Sequence, residues 1–318
     1  MSLSNVKRST LITFQNGATS GTSKVVAARE LDHDSRKALL LVEETPFHPL
    51  DYGWPDQPPD SGIIVIRGVA LPVIDAWVGA MDTASGQLYL DKDIPLKKGG
   101  IDLLFLVAHI VVFPEKFPIT EISGETAELL VDSQRRKNLS AAHSACHLMA
   151  LALNKYARKF WKKEAPKDSL GNPDTDQQSI QSSKITEKES LDHYRFGKSL
   201  RKAGFESLVL VDQLKDLESS VNEQLSIWLK SGSEIYMETA DSTATIDSRR
   251  AWRCRLPDGE VSIPCGGTHL NSLRELKSVS VSFEPVPACP EIKAHTVPIL
   301  NEDLHMPSLM ENDSENRL

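Results

Sequence analysis

The sequence predicts an α+β protein in two parts. Residues 1–125 read as all β, closed as a small barrel or sandwich. Residues 126–300 read as mixed helix and strand around a metal site, and 301–318 as an acidic, disordered tail. Three observations carry this. Before residue 125, short runs rich in Val, Ile and Leu alternate with clusters of Gly, Pro, Asp and Asn, and no long helical period appears. Beyond residue 126, apolar residues recur at helical spacing. Within that second part, two pairs of histidine and cysteine side chains stand at ligand spacing.

In order, the expected strands are Thr10–Gln15, Lys24–Ala28, Lys37–Glu43, Gly62–Val69, Ile74–Ala80, Gln87–Leu90 and Leu103–Phe113. Between the third and fourth lies Thr45-Pro-Phe-His-Pro-Leu-Asp-Tyr-Gly-Trp-Pro-Asp-Gln-Pro-Pro-Asp-Ser-Gly62, with five prolines in eighteen residues. Proline restricts φ, so such a loop holds one shape. It reads as a rigid connection, or as the wall of a binding site with Thr45, Gln57, Asp60 and Ser61 as polar tips.

The run from Ala141 to Phe160 and Trp161 predicts a helix over Ala141–Lys163 with Ser140 as N-cap. His143 and His147 then project from one face, one turn apart. The helix ends in Lys155, Arg158, Lys159, Lys162 and Lys163. Cations suit a helix C-terminus, and the same cluster could contact phosphates. Ala165–Glu189 is polar and reads as a surface loop or partly disordered insertion. Ser190–Ala203 and Val211–Lys230 read as helices. Ile235–Ile246, Arg250–Leu256 and Ser278–Phe283 read as strands, with Pro264-Cys-Gly-Gly-Thr-His-Leu270 on a connection between two of them.

His143, His147, Cys265 and His269 make three imidazoles and a thiol. That is the set and number a tetrahedral zinc site uses, which predicts one Zn2+ per chain. Gly266 and Gly267 would let the backbone turn through positive φ, or let another group come close. Four protein ligands can close the shell, which suits a structural ion; a catalytic role needs a further position. The remaining histidines (His33, His48, His109, His193, His295 and His305) lack a partner at ligand spacing, and only His48 lies in the proline-rich loop.

Composition narrows the class further. Hydrophobic residues make up 40% and charged residues 25% of the chain, the balance of a folded protein. The net charge of -8 argues against an indiscriminate nucleic-acid binder, which is normally basic, but leaves room for a local basic patch. Cys146, Cys254, Cys265 and Cys289 are too scattered for a disulfide framework, so a reducing, cytoplasmic setting is expected. No apolar run reaches the ~18–20 residues of a membrane span. The early cations Lys7, Arg8, Lys24 and Arg29 mildly suggest a presequence, but a first β-strand accounts for the segment better. No Gly-rich phosphate loop is present, so ATP-driven chemistry is not expected.

Four stretches resemble one family in order: the alanyl-tRNA synthetase editing domain and its freestanding AlaX-type trans-editing relatives. Thr45-Pro-Phe-His-Pro with Gln57-Pro-Pro-Asp60-Ser-Gly62 resembles the family's Thr-x-Phe-Tyr-Pro…Gly-Gly-Gln-Pro-Ser-Asp-Thr-Gly loop. Asp132-Ser-Gln-Arg135-Arg136 resembles its Asp-x-x-Arg-Arg lead-in, and His143-Ser-Ala-Cys-His147-Leu its His-Thr-Ala-Thr-His-Leu-Leu helix. Cys265-Gly-Gly-Thr-His269 is identical to its second metal motif. The likeness spans roughly residues 10 to 285. It implies a small β-barrel followed by an α+β zinc-containing editing domain, with His143, His147, Cys265 and His269 as ligands. It implies hydrolysis of mischarged tRNA(Ala), as Ser-tRNA(Ala) or Gly-tRNA(Ala), in trans. Thr45 and Gln57 would then lie near the aminoacyl group and read its hydroxyl. Three departures fall in the loop and not in the metal motifs: about three extra residues around Asp51-Tyr52-Gly53-Trp54-Pro55, the family's double glycine before Gln57 replaced, and His48 where tyrosine is common. The altered loop also suits a catalytically silent, zinc-stabilised tRNA-binding protein of the same fold.

Overall fold

Period-2 alternation of aliphatic residues builds the first half. Its strands are β1 (Leu11–Ile12), β2 (Ser20–Asp32), β3 (Lys37–Val42), β4 (Glu44–Thr45), β5 (Gly62–Ile66), β6 (Val69–Asp82), β7 (Leu88–Leu90), β8 (Leu103–Val112) and β9 (Thr126–Val131). The computed structural model describes residues 5–32, 35–51, 53–95, 102–241, 243–287 and 289–301. Strands run in the order β5-β9-β2-β3-β8-β6, and β5 pairs again with β6, so six of them close a barrel; β7 extends β6 at its end. Val25, Leu40, Phe47, Ile64, Leu71, Val111 and Leu129 fill one core of this half. Leu39 and Leu41 point the other way from Leu40 and pack with Met81, Leu106 and Ile110.

Two sequence expectations change here. Thr10–Gln15 is not one strand: β1 is short, and a 3-10 turn at Phe14–Asn16 ends on Gly17 at φ 80°. Thr126–Val131, placed by sequence in the mixed helix-and-strand part, is a barrel strand that buries Ala127, Leu129 and Val131 in strict alternation.

The second half is organised on α1 (Ser133–Ala157). Asp132 caps it, its side chain accepting the Arg135 N–H at 3.0 Å. The helix therefore starts seven residues before Ser140, which sits inside it and is buried. It stops at Ala157 and gives way to a 3-10 turn over Arg158–Phe160, short of the expected Lys163. Buried residues surround most of its circumference, as befits a central helix.

There follow α2 (Thr175–Ser179), β10 (Ile180–Ile185), β11 (Ser190–Arg195), α3 (Lys198–Lys202), α4 (Ser207–Asp212), α5 (Leu214–Leu229), β12 (Ile235–Thr239), β13 (Arg250–Leu256), β14 (Gly259–Pro264), β15 (Leu276–Pro285) and β16 (Glu291–Leu300). They form a four-stranded sheet, β10-β11-β16-β15, and a three-stranded one, β12-β13-β14. The core between helices and sheets gathers Leu148, Leu151, Leu217, Val221, Leu225, Trp228, Trp252 and Phe283.

The polar stretch at 165–189 is thus ordered as α2 and β10. Its polar groups satisfy one another: Asn154 donates to Asp168 and Asp174 at 3.1 Å each and accepts the Asp176 N–H at 2.8 Å. Ser190–Ala203 is helical only at its end, in α3. Its first part is β11, burying Ser190, Asp192 and Tyr194 on alternate positions between β10 and β16. The expected strand from Ile235 stops at Thr239, and β14 and β16 were not anticipated. Ala244 and Ile246 instead pack on Ile12, Phe14 and Ala76 and bond to β1, joining the two halves. The acidic tail lies outside the described residues, apart from Asn301. Among the described residues, no helix is long and apolar enough to cross a membrane.

Candidate metal centre

α1 contributes His143 and His147, one turn apart, with ring centroids 4.9 Å from each other. The connection between β14 and β15 contributes Cys265 and His269. One ligand atom from each of the four lies within 4.8 Å of the others, so the group could hold a metal ion. Cys265 Sγ stands 3.5 Å from His143 Nε2 and 3.2 Å from His269 Nε2.

The surrounding chemistry fits a cation. His147 Nε2 is buried with no hydrogen-bond partner, a state that buried polar atoms rarely keep. Burial pushes the His143 pKa down to about 4 and those of His147 and His269 well below the ordinary value, so all three rings are neutral with a lone pair to give. Desolvation pushes the Cys265 thiol up to about 12, with the nearby Asp56 charge adding to it. A bound divalent ion supplies the positive charge that turns such a thiol into a thiolate ligand.

The partners of the ligands fix which nitrogen faces inward. Gln57 Oε1 lies 2.8 Å from His143 Nδ1 and 3.0 Å from the Thr268 N–H. A backbone N–H can only donate, so this Gln57 atom is the oxygen, and His143 Nδ1 must carry its hydrogen toward it. The Nε2 lone pair is left for the metal side. Gln57 Nε2 donates to Thr268 Oγ1 at 2.9 Å, and Ser140 Oγ donates to the same oxygen at 2.9 Å. Ser144 Oγ is 3.2 Å from His269 Nδ1 and accepts the Leu270 N–H at 3.1 Å. Asp56 Oδ2 stands 3.5 Å from His143 Nε2, and burial raises its pKa to about 6.

Gly267 owes its identity to space. A Cβ there would lie 2.3 Å from His143 Cε1 and 2.7 Å from Gln57 Oε1. Neither Gly266 nor Gly267 has positive φ, so close approach, and not a left-handed turn, is the reason for them. The small residues Ala142, Ser144 and Ala145 are likewise fully covered and do not leave an open face.

The proline-rich loop reaches the centre through Gln57. A buried ion pair pins it to α1: Arg136 holds the Asp60 carboxylate, which also accepts the His48 N–H at 2.6 Å, while Arg136 Nη2 donates to the Pro46 carbonyl at 2.7 Å. Thr45, Gln57 and Asp60 are buried, contrary to their reading as polar tips. Thr45 is not brought to the ligands. Its hydroxyl is 2.8 Å from His109 Nε2 and accepts the Phe47 N–H at 3.1 Å. The roles of Asp60, Arg136, Thr268, Ser140 and Ser144 were not read from sequence. Thr268, inside the Cys-Gly-Gly-Thr-His motif, and the serines flanking His143 were the available signals.

The basic cluster lies at the other end of α1, with Lys155 roughly 12 Å along the axis from His147. Most of its charges are engaged: Lys155 by Asp258 at 3.1 Å, Lys162 by Glu206 at 3.0 Å, and Lys159 over the Tyr156 ring at 3.9 Å. Lys163 donates to the Lys202 carbonyl at 3.4 Å, and Arg158 is exposed. A cleft of about 1080 Å³ opens beside Cys265 and Gly266, with His48, Asp51, Arg249 and Arg250 among its walls. No protein-family model matches the chain, and no curated protein matches it.

Proposed function

We propose that this protein is a zinc-dependent trans-editing hydrolase that deacylates mischarged tRNA(Ala), with Ser-tRNA(Ala) or Gly-tRNA(Ala) as substrate. One observation carries the reading. The four residues of the resembling metal motifs converge within 4.8 Å, Cys265 among them lines a cleft, and Gln57 of the first resembling stretch is bonded to His143. Zinc, when bound by His143, His147, Cys265 and His269, would supply a Lewis-acidic charge beside the cleft. The chain's own residues do the rest. Gln57 and Thr268 orient His143, Ser144 orients His269, and the cleft admits an ester-bearing end.

Two observations favour a second reading. Four protein donors complete a tetrahedral shell, and the Thr45 hydroxyl is engaged with His109. Both suit a catalytically silent protein that keeps zinc and binds tRNA. Serine release from Ser-tRNA(Ala) separates the two. Zinc-loaded wild type is expected to release serine and Cys265→Ala to lose most of that activity. Failure of the wild type on every mischarged tRNA(Ala) would overturn the hydrolase reading.

A further inference from the structure

The proline-rich loop carries a carboxylate to the edge of the four candidate ligands. The geometry points to Asp56 as a further donor to the cation that His143, His147, Cys265 and His269 would hold, making a set of three imidazoles, a thiolate and a carboxylate. This rests on the metal site of the proposed reading and not on hydrolysis.

Asp56 directly precedes Gln57, where the resembling motif has glycine, so the carboxylate is a feature of this chain and not of the motif. Its backbone is anchored on both sides. The Asp56 N–H donates to the Trp54 carbonyl at 2.9 Å, and the Asp56 carbonyl accepts the Ile185 N–H, from β10, at 2.8 Å. Within the carboxylate, Oδ1 accepts the Gln57 N–H at 2.7 Å. Gln57 is in turn tied to His143 and Thr268 through its own amide. Oδ2 is thereby turned toward His143 and stands 3.5 Å from Nε2.

These two atoms need something between them. His143 Nδ1 carries its hydrogen toward Gln57, so Nε2 keeps its lone pair. A carboxylate oxygen is likewise an acceptor. Two acceptors do not bond each other, and their 3.5 Å separation exceeds the ~2.7–3.2 Å of an N–H···O hydrogen bond. A shared cation accounts for the distance. A nitrogen and an oxygen bound to one zinc at ~2.0–2.2 Å stand roughly 3–4 Å apart. Cys265 Sγ, itself one of the four, lies at the same 3.5 Å from the same nitrogen. Among the described residues no lysine or arginine pairs with Asp56, so no other cation claims its charge.

Asp56 stands outside the group of four, whose donor atoms all lie within 4.8 Å of one another. Its side chain is 18% exposed, against 2% for that of His143. It is thus the outer donor, on the solvent side of a shell that zinc can expand from four to five.

The test is metal binding by the full chain, read in two ways. Zinc affinity is measured by competition with a chromophoric chelator. The visible spectrum of the cobalt(II) form reports donor number, since its bands are stronger for four donors than for five. Asp56→Asn keeps an oxygen for the Gln57 N–H but carries no charge, so the loop and the circular dichroism should be preserved. It is expected to bind zinc about 10–100-fold more weakly than wild type and to intensify the cobalt bands. An unaltered cobalt spectrum in Asp56→Asn overturns the proposal even where affinity falls, because a charge acting from a distance would also lower affinity. Equal zinc affinity in the two proteins overturns it as well. In both cases stoichiometric zinc on wild type leaves the metal reading standing, whereas a wild type that takes up no metal overturns the two together. Neither readout involves hydrolysis, so a chain that deacylates nothing yet changes its cobalt spectrum in Asp56→Asn sinks the function and keeps the fifth donor.

Discussion

Gln57 shows how one side chain can serve a metal centre without touching the ion. Its oxygen takes two hydrogens, one from His143 and one from the Thr268 backbone, and its amide nitrogen gives one back to Thr268. Gln57→Ala is expected to lower zinc affinity about 10–100-fold, read by competition with a chromophoric chelator, with the circular dichroism unchanged. An unaltered affinity would mean that packing alone orients His143. Gly267→Ala acts on the same ring by sterics, since the new methyl would lie 2.3 Å from His143 Cε1. It is expected to abolish stoichiometric zinc in the same titration. The ligand residues were legible in sequence because their chemistry and spacing are local. Their partners were not, because Gln57 and Thr268 meet across 211 positions of chain.

At the scale of elements, α1 and the proline-rich loop act as one unit through Asp60 and Arg136. Both side chains are almost fully buried, so removing one leaves the other's charge without its counterpart. Asp60→Ala is expected to cost about 3–5 kcal/mol in urea denaturation. Lys162→Ala, in a pair exposed by 63% and 38% on its two sides, is expected to cost under about 1 kcal/mol. A similar cost for both would show that the Asp60 pair does not pin the loop. The start of α1 was misread for a physical reason. Asp132 caps a polar first turn that carries no apolar stripe, so the visible helical period begins only near Ser140. β11 was misread because Leu191 and Tyr194 stand three apart and Phe196, Leu200 and Ala203 follow at helical spacing; pairing with β10 and β16 decides it.

Across the whole molecule, two buried carboxyls under α1 set a pH dependence. Burial, with Asp192 and Asp174 adding to it, raises Asp176 from its ordinary 3.8 to about 7, and burial raises Asp192 to about 6. The Tyr194 hydroxyl donates to Asp176 at 2.7 Å, and Ser190 donates to Asp192 at 3.0 Å. The folded state binds these protons more tightly than the unfolded chain. Their contribution is therefore complete below about pH 4 and is lost as pH rises through about 6 and 7. The unfolding free energy of metal-free wild type, taken relative to that of Asp176→Asn, is expected to fall between about pH 4 and about pH 7. Parallel curves for the two proteins would refute the assignment. Zinc, if held by His143, His147, Cys265 and His269 as proposed, would add a second term. At a free concentration near a thousand times its Kd it should stabilise the fold by about 4 kcal/mol, seen as a lower melting temperature on chelation.

The amino-acid sequence by itself determined the α+β class, most of the barrel strands and all four residues of the group that could hold a metal ion. Each rests on local information: alternation, helical period, or ligand types a few residues apart. Tertiary structure alone decided that Gln57 and not Thr45 reaches the centre, and that the basic cluster lies at the far end of α1. It also decided that the polar 165–189 stretch folds as helix and strand. In these cases the deciding partner, whether His109, Asp258 or Asn154, comes from another element, and which polar groups pair there depends on how the two halves close against each other.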